Sequence, residues 1–192
     1  MKKISLSLAI LAALGLSVAS TANAANNGKL IFTGTLTDMT CDVTAGSGTS
    51  PGNGTDINVD LGNVSFSDIG DFATAKLETA SPIQLLVECS GGTGQYSQVD
   101  MRFVARQGSG LDNLDQRLLR TTGAADGVGI GLINTADQLM ELNGDEKISA
   151  ELVEDAGVLR AELNFGAVYV LNGAATNPGQ ADGFLPFVME YL

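Results

Sequence analysis

The residues of this chain that could carry out acid–base chemistry are carboxylates, because the sequence contains no histidine. Histidine is the usual general base and zinc ligand, and it completes the Ser-His-Asp and Cys-His arrangements of hydrolases. Two acidic groups remain, Asp112 with Asp115 and the cluster of Glu151, Glu154 and Asp155. In a chain with 22 acidic and 10 basic residues, such groups are usually solvated surface. We therefore expect no catalytic residues and no enzymatic activity.

Glycines and turn residues give two further patterns that resemble ligand sites. Gly127, Gly129 and Gly131 have GxGxG spacing, but a phosphate loop also needs a following helix and a Lys-Ser or Lys-Thr pair. A strand whose small residues allow a close approach explains them better. Asn143 and Asp145 lack the spacing of a calcium-binding EF-hand and fit a turn. The sequence therefore predicts no metal and no cofactor.

The start of the chain indicates an exported protein. Lys2 and Lys3 precede an apolar stretch over residues 4–18, and Ala22-Asn23-Ala24 is a typical cleavage site of a secretory signal peptide. We expect residues 1–24 to be removed and residues 25–192 to be exported. A net charge of −12 disfavours nucleic acid as a partner, since phosphates attract basic patches.

The only two cysteines are Cys41 and Cys89. An even number of cysteines in an oxidising compartment favours a disulfide over a metal site. We therefore predict that these two residues form a disulfide.

The pattern of apolar residues predicts an all-β fold. Short runs rich in Val, Ile, Leu, Thr and Phe alternate with clusters of Gly, Asn, Asp and Ser, as in a β-sandwich or barrel. Gly46 to Gly54 has the composition of a flexible surface loop, and Phe66 to Leu77 favours an irregular or short helical segment. Strands are predicted near residues 29–35, 56–61, 83–89, 100–106, 128–134, 158–171 and 184–191.

Features at three places in the sequence resemble the pilins assembled by the chaperone-usher route, the subunit class of type 1 and P-type fimbriae. The first is Gly28 to Leu36, GKLIFTGTL, which resembles the pilin GxxxFxG segment that leads to the first cysteine. In the family this region is a donor strand that leaves its own domain. The resemblance implies an N-terminal donor-strand extension over residues 25–36, with donor positions Asn26, Gly28, Leu30, Phe32 and Gly34.

The other two features are the order of the cysteines and the end of the chain. In pilins the bridge ties the first strand to one in mid-domain, and Cys41 and Cys89 have that order. Gly179 is fourteenth from the end and Tyr191 next to last, as in the pilin C-terminal signature. Pro186 cannot donate a ladder hydrogen bond, which leaves the pairing register of this strand open. The expected acceptor edge comprises Gly179, Leu185, Phe187, Met189 and Tyr191, of which the last four share one face.

The resemblance implies a fold and a set of partners. Residues 37–192 are expected to form an incomplete immunoglobulin-like β-sandwich that lacks its last strand. In the family, a periplasmic chaperone first supplies a strand, and the extension of the next subunit replaces it at the outer-membrane usher. The expected function is that of a structural subunit of an adhesive fimbria, exported through the periplasm to the cell surface. Its partners would be other pilin subunits in a head-to-tail homo- or hetero-polymer.

Two other functions remain open from the residues alone. A secreted β-sandwich binding module, or a minor or adaptor subunit, could contact a host glycan directly, and Tyr96 with the loop at Gly91-Gly92 is a mild hint of it. A secreted enzyme would require a pocket with convergent polar groups and perturbed carboxylates.

Overall fold

The structure is a computed structural model that describes residues 39–53, 55–91 and 94–192. The predicted signal peptide, the N-terminal extension and the strand predicted near residues 29–35 lie outside these residues. The described chain contains three single-turn 3-10 helices, Phe66–Asp68, Leu77–Thr79 and Ala105–Gln107. Its strands are β1 (Met39–Ala45), β2 (Thr49–Pro51), β3 (Ile57–Val59), β4 (Ser81–Gly91), β5 (Gln98–Phe103), β6 (Leu119–Arg120), β7 (Val128–Ile133), β8 (Lys147–Glu151), β9 (Val153–Asp155), β10 (Val158–Leu171) and β11 (Phe187–Tyr191).

The strands form two main antiparallel sheets. The larger has the order β1-β4-β10-β7-β6, and β9 pairs with the start of β10. The smaller has the order β11-β5-β8, while β2 and β3 form a separate two-stranded ribbon. One core cluster contains side chains from both main sheets, so the sheets pack face to face. The predicted immunoglobulin-like β-sandwich is confirmed.

The alternation of apolar and polar residues in β10 determines which face enters the core. Leu159 and Leu163 are buried, while Arg160 and Glu162 between them are exposed. Successive side chains of a strand point to opposite faces, so this pattern requires one wet and one buried face. From the opposite sheet, β5 contributes Met101, which is fully buried. Burying a side chain of this size stabilises the fold by about 1.5–3 kcal/mol.

Of the glycines with GxGxG spacing, Gly129 and Gly131 lie in β7, where they allow close packing, and Gly127 lies just before the strand with φ of 83°. A Cβ on Gly129 would stand 2.9 Å from the Cβ of Leu118, and one on Gly131 would stand 2.7 Å from a methyl carbon of Leu139. Both distances are too short for a side chain to be added without movement. The strand interpretation is confirmed for Gly129 and Gly131.

Several predicted element bounds were wrong. The Gly46 to Gly54 segment is not simply a loop, because residues 49–51 form β2 and pair with β3. The strand predicted at residues 100–106 is shifted to Gln98–Phe103 and is followed by a 3-10 turn. The C-terminal strand begins at Phe187 rather than residue 184. Strands β1 and β8 were not predicted. Each follows polar or glycine-containing sequence, which weakens the apolar signal.

The predicted disulfide is confirmed. Cys41 on β1 and Cys89 on β4 are directly opposite in the antiparallel register and are bonded. Cys89 is fully buried, whereas Cys41 is half-buried. The bond therefore ties the edge strand β1 to its neighbour β4 in the larger sheet.

Replacing both Cys41 and Cys89 by Ser should lower the free energy of unfolding by about 4 kcal/mol. A bridge across 48 residues removes loop entropy from the unfolded chain, and the loss follows the logarithm of loop length. Urea unfolding of the oxidised chain and of the double variant measures the difference. A change below about 1 kcal/mol would show that the bridge contributes little to folding.

The turn between β9 and β10 contains a residue in an unfavourable backbone conformation. Ala156 has φ of 52° and is followed by Gly157 with φ of 83°. A positive φ at two central residues is typical of the type I′ turn that suits β-hairpins. Glycine adopts this conformation freely, whereas alanine does so at a cost of about 1 kcal/mol.

Replacing Ala156 by Asn should therefore raise the free energy of unfolding by about 0.5–1 kcal/mol, since asparagine tolerates the left-handed region. The matched control is Ala136→Asn, because Ala136 is also an exposed turn residue but does not have a positive φ. Thermal or urea unfolding of the three chains tests this. Equal stabilisation by both substitutions would contradict the role of backbone strain.

Candidate functional site

The carboxylates that could have formed an acid–base pair instead hold turns. Asp112 Oδ1 accepts hydrogen bonds from the backbone N–H groups of Leu114 and Asp115, at 2.8 and 3.1 Å. Asp112 Oδ2 accepts from Asn172 Nδ2 at 2.9 Å. Asp115 forms a two-point ion pair with Arg117, at 2.8 and 2.7 Å. The hydrogen bonds from Arg117 lower the pKa of Asp115 and thus keep it ionised.

In the second acidic cluster, Asp155 has a structural role. Asp155 pairs with Arg160 at 2.7 Å, and Arg160 also pairs with Glu88 on the neighbouring strand at 2.7 Å. Within residues 39–53, 55–91 and 94–192, no group of three or more Cys, Asp or Glu side chains is placed to hold a metal ion. In the same residues, no helix is long and apolar enough to cross a membrane.

The outer edge of β11 is the strongest candidate for a functional site. β11 is paired with β5 along one side and, in the described part of the chain, with no strand along the other. An unpaired edge presents a row of free N–H and C=O groups to any extended chain that approaches it. β1 is likewise paired only with β4 among the described strands.

The hydrogen-bond alternation in the β11–β5 ladder shows which backbone groups face outward. Leu192 and Gln98 exchange reciprocal hydrogen bonds at 2.9 and 3.1 Å. In an antiparallel ladder every second residue bonds to the partner strand, so Glu190 and Val188 also face β5. The alternate residues direct their N–H and C=O groups to the outer edge, and these are Leu185, Phe187, Met189 and Tyr191.

Pro186 therefore does not interrupt the outer edge. Its carbonyl accepts a hydrogen bond from Val104 N at 2.8 Å, which places its backbone on the β5 side. Because proline has no backbone N–H, the ladder between this segment and β5 lacks one donor at Pro186. The outer edge keeps all its donors on either side of Pro186, so the proline does not obstruct pairing there.

The side chains of the outward-bonding residues are half-buried and pack against the core. Leu185, Phe187, Met189 and Tyr191 all belong to the partly buried layer around the core cluster, as the alternation predicts. Val188, on the opposite face, is 48% exposed. Burial raises the pKa of the Tyr191 hydroxyl. These four residues form an apolar row that is only partly covered.

The end of β11 and the start of β1 border one cleft. It has a volume of about 280 Å³ and is lined by Met39, Cys41, Tyr96 and Tyr191. All four side chains are half-buried and contact the core cluster. We name the apolar row of β11 together with this cleft the edge groove.

The grouping of Met39, Cys41 and Tyr96 in the edge groove was not anticipated. Met39 and Cys41 alternate with exposed residues along β1, and that alternation was the available signal. Tyr96, considered above as an exposed glycan contact, lies half-buried in the cleft. Sequence spacing could not reveal this grouping, because β1 and β11 are about 150 residues apart.

The segment before β11 is held by close backbone approaches at glycines. A Cβ on Gly179 would stand 2.7 Å from the carbonyl carbon of Ala124, and one on Gly108 would stand 2.1 Å from the carbonyl oxygen of Phe184. Tyr169 Oη donates a hydrogen bond to the carbonyl of Ala181 at 2.7 Å. Gly179 thus serves to dock this segment and is not part of the outer edge itself.

A buried carboxylate lies beside β11 in the smaller sheet. Asp100 on β5 is 1% exposed. Hydrogen bonds from Lys147, Ser149 and Gln98 lower its pKa from 3.8 to about 2. The ionised carboxylate therefore joins β5 to β8 and supports the strand on which β11 depends.

Acid should weaken this contact. Since the folded-state pKa lies below that of the unfolded chain, the stabilisation is complete above pH 4 and is lost as pH falls towards 2. The full shift corresponds to at most about 2 kcal/mol, and solvent around the exposed Lys147 ammonium reduces it to about 1 kcal/mol.

The test is urea unfolding of the wild type and Asp100→Asn between pH 6 and pH 2. The wild type should be more stable by about 1 kcal/mol at pH 6, and the difference should vanish near pH 2. Asp145→Asn, in an exposed turn, is the control. A difference that persists unchanged at pH 2 would contradict the assignment.

Comparison with known proteins identifies the class to which this fold and groove belong. The sequence profile of the family described as "Fimbrial protein" matches residues 30–191. The chain therefore belongs to the fimbrial protein family. Membership implies a structural, non-enzymatic role in a surface pilus and assembly with other pilin subunits.

Solved structures include similar chains. The P pilus rod subunit PapA is 22% identical, with a TM-score of 0.47, and the match covers 85% of this chain and 100% of PapA. The antigen and type I fimbria protein BPSL1626 of Burkholderia pseudomallei is 19% identical, with a TM-score of 0.47 and coverage of 80% and 99%. The CupB6 tip adhesin of Pseudomonas aeruginosa is 22% identical, with a TM-score of 0.40 and coverage of 57% and 30%. No curated protein matches the sequence significantly.

Proposed function

We propose that this chain is a structural subunit of an adhesive fimbria that polymerises by donor-strand exchange after secretion by the chaperone-usher route. The observation that carries this proposal is the edge groove. β11 ends the smaller sheet, its outer edge has no paired strand in the described chain, and its apolar row is only half-buried.

The edge groove has both requirements for strand addition. Four residues of the C-terminal segment direct backbone donors and acceptors outward, and each hydrogen bond formed there contributes about 0.5–1.5 kcal/mol. The half-buried side chains on the same residues offer apolar contact to alternate side chains of an incoming strand. Without such a strand, an exposed apolar edge promotes aggregation.

The proposed donor is the segment Asn26 to Leu36 of another subunit. Its alternate residues Gly28, Leu30, Phe32 and Gly34 would face the groove, with Leu30 and Phe32 as buried anchors and Gly28 allowing a close approach. Complete burial of each anchor would stabilise the contact by about 1.5–3 kcal/mol. These residues lie outside the described part of the chain, so their role rests on the sequence.

Such an exchange produces a fibre by symmetry. Each subunit would donate one strand and accept one at a different surface, and a head-to-tail contact of this kind propagates without closing. A periplasmic chaperone would cover the edge groove before assembly, and the outer-membrane usher would be the place of exchange. The fimbria would then support adhesion at the cell surface.

The test compares residues 25–192 with residues 37–192 and adds a synthetic peptide of residues 25–36. The truncated domain should have low thermal stability alone and gain about 10 °C or more with saturating peptide, since ligand binding to the folded state stabilises it. The longer chain should form oligomers in size-exclusion chromatography. A peptide with Phe32→Ala should stabilise much less, whereas Lys29→Ala, on the opposite face, should act like the original.

Two results would contradict the proposal. A truncated domain that is a stable monomer and does not respond to the peptide would have a complete fold, and a binding module would then explain it better. Equal effects of the Phe32→Ala and Lys29→Ala peptides would show that Phe32 is not an anchor in the groove.

A further inference from the structure

A second cleft, distant in sequence from β1 and β11, is formed by residues 106–120. It has a volume of about 330 Å³, and its polar lining includes Arg106, Asp112, Asn113, Gln116 and Arg120. We name it the arginine cleft. We propose that it binds a small acidic saccharide through the carboxylate or sulfate group of that sugar.

The guanidinium of Arg106 has no hydrogen-bond or ion-pair partner among the described residues. Within them, every other lysine and arginine side chain has a hydrogen bond or an ion pair. Arg106 has neither, although the chain carries 22 acidic residues and a net charge of −12. Its guanidinium is exposed and borders the cleft. An acidic protein that leaves one arginine unneutralised at a concave site offers an anion a local attraction.

Arg120 adds a second positive charge that is held but not neutralised. Its guanidinium donates to the carbonyl of Leu111 at 3.3 and 3.1 Å and to Asn113 Oδ1 at 3.3 Å. Both acceptors are uncharged, so Arg120 keeps its full positive charge. A guanidinium has five N–H donors in a planar fork, and those not used here can pair with a carboxylate or sulfate.

The carboxylate of Asp112 also lines the cleft and offsets one of the two positive charges. Both its oxygens accept hydrogen bonds from Leu114, Asp115 and Asn172, and the residue is 6% exposed. It fixes the loop that carries Asn113. The charged lining side chains are therefore two arginines and one carboxylate, which leaves a net positive charge in the cleft.

The floor of the cleft is preorganised. Arg120 N donates to the carbonyl of Gly110 at 2.9 Å, and Asp112 N donates to the carbonyl of Leu118 at 2.9 Å. Gly110 has φ of +87°, and a Cβ there would stand 3.3 Å from Arg120 Nη2. Binding to a site whose backbone is already ordered costs little conformational entropy.

These features determine the kind of ligand. The backbone of the floor already has partners, so the cleft cannot accept an added strand as the edge groove can. Its volume is at the lower end of the range for small-molecule sites. The amides of Asn113 and Gln116 supply donors and acceptors that match sugar hydroxyls, and the two arginines match an acidic group. A small acidic sugar meets all three conditions.

The test is saturation-transfer NMR on the full mature chain in its native assembly state, with three sugars that share one core. These are 3′-sialyllactose with a carboxylate, 3′-sulfolactose with a sulfate, and neutral lactose. At least one acidic sugar should bind with a Kd on the order of 1 mM or below, and more weakly at high salt. Binding of only one acidic sugar would identify the preferred group. Lactose should not bind.

Arg106→Gln should weaken binding at least about tenfold, as expected for loss of a charge-assisted hydrogen-bond pair. Arg160→Gln is the matched control, because Arg160 is an exposed arginine on another face whose charge is already paired. The proposal is overturned if lactose binds as well as the acidic sugars, if neither acidic sugar binds at millimolar concentration, or if both variants behave alike. Because the cleft shares no residue with the edge groove, each result is independent of donor-strand exchange.

Discussion

The pairing of β11 with β5 along one edge, with no strand along the other in the described residues, is the constraint on which this molecule depends. It joins the C-terminal strand to the core through an internal ladder and leaves the outer backbone groups without a strand partner in those residues. The half-buried row on β11 follows from the same arrangement, since residues that bond outward also place their side chains toward the core. In the proposed donor-strand exchange, fold completion and assembly are one physical event, because the strand that would fill the edge groove would also cover the apolar row.

Several features support that strand from behind. The ionised Asp100 holds β5 against β8, and glycines at 108 and 179 let the preceding segment approach the body of the domain. The disulfide ties β1, the other border of the groove, to the larger sheet. Rigid borders reduce the entropy lost when a strand binds. These contacts therefore fix the borders of the surface proposed for assembly.

The distribution of charge separates two surfaces with different chemistry. The edge groove is apolar and offers backbone hydrogen bonds, which suits an extended peptide. The arginine cleft offers two guanidinium groups over a closed backbone, which suits a small anion. A subunit with both could take part in a fibre and contact acidic sugars from its side, without either contact displacing the other.

The sequence by itself determined the all-β class, the cysteine pair and the alternation in Val158–Leu171 and in the last strand, because these depend on local periodicity and on residue type. It also excluded histidine-based chemistry. Only the tertiary structure decided that Tyr96 lies beside Met39 and Tyr191, that the missing N–H of Pro186 faces inward, and that Arg106 has no partner among the described residues. Each of these depends on contacts or register between segments distant in the chain, and a one-residue slip in register would reverse which groups face outward.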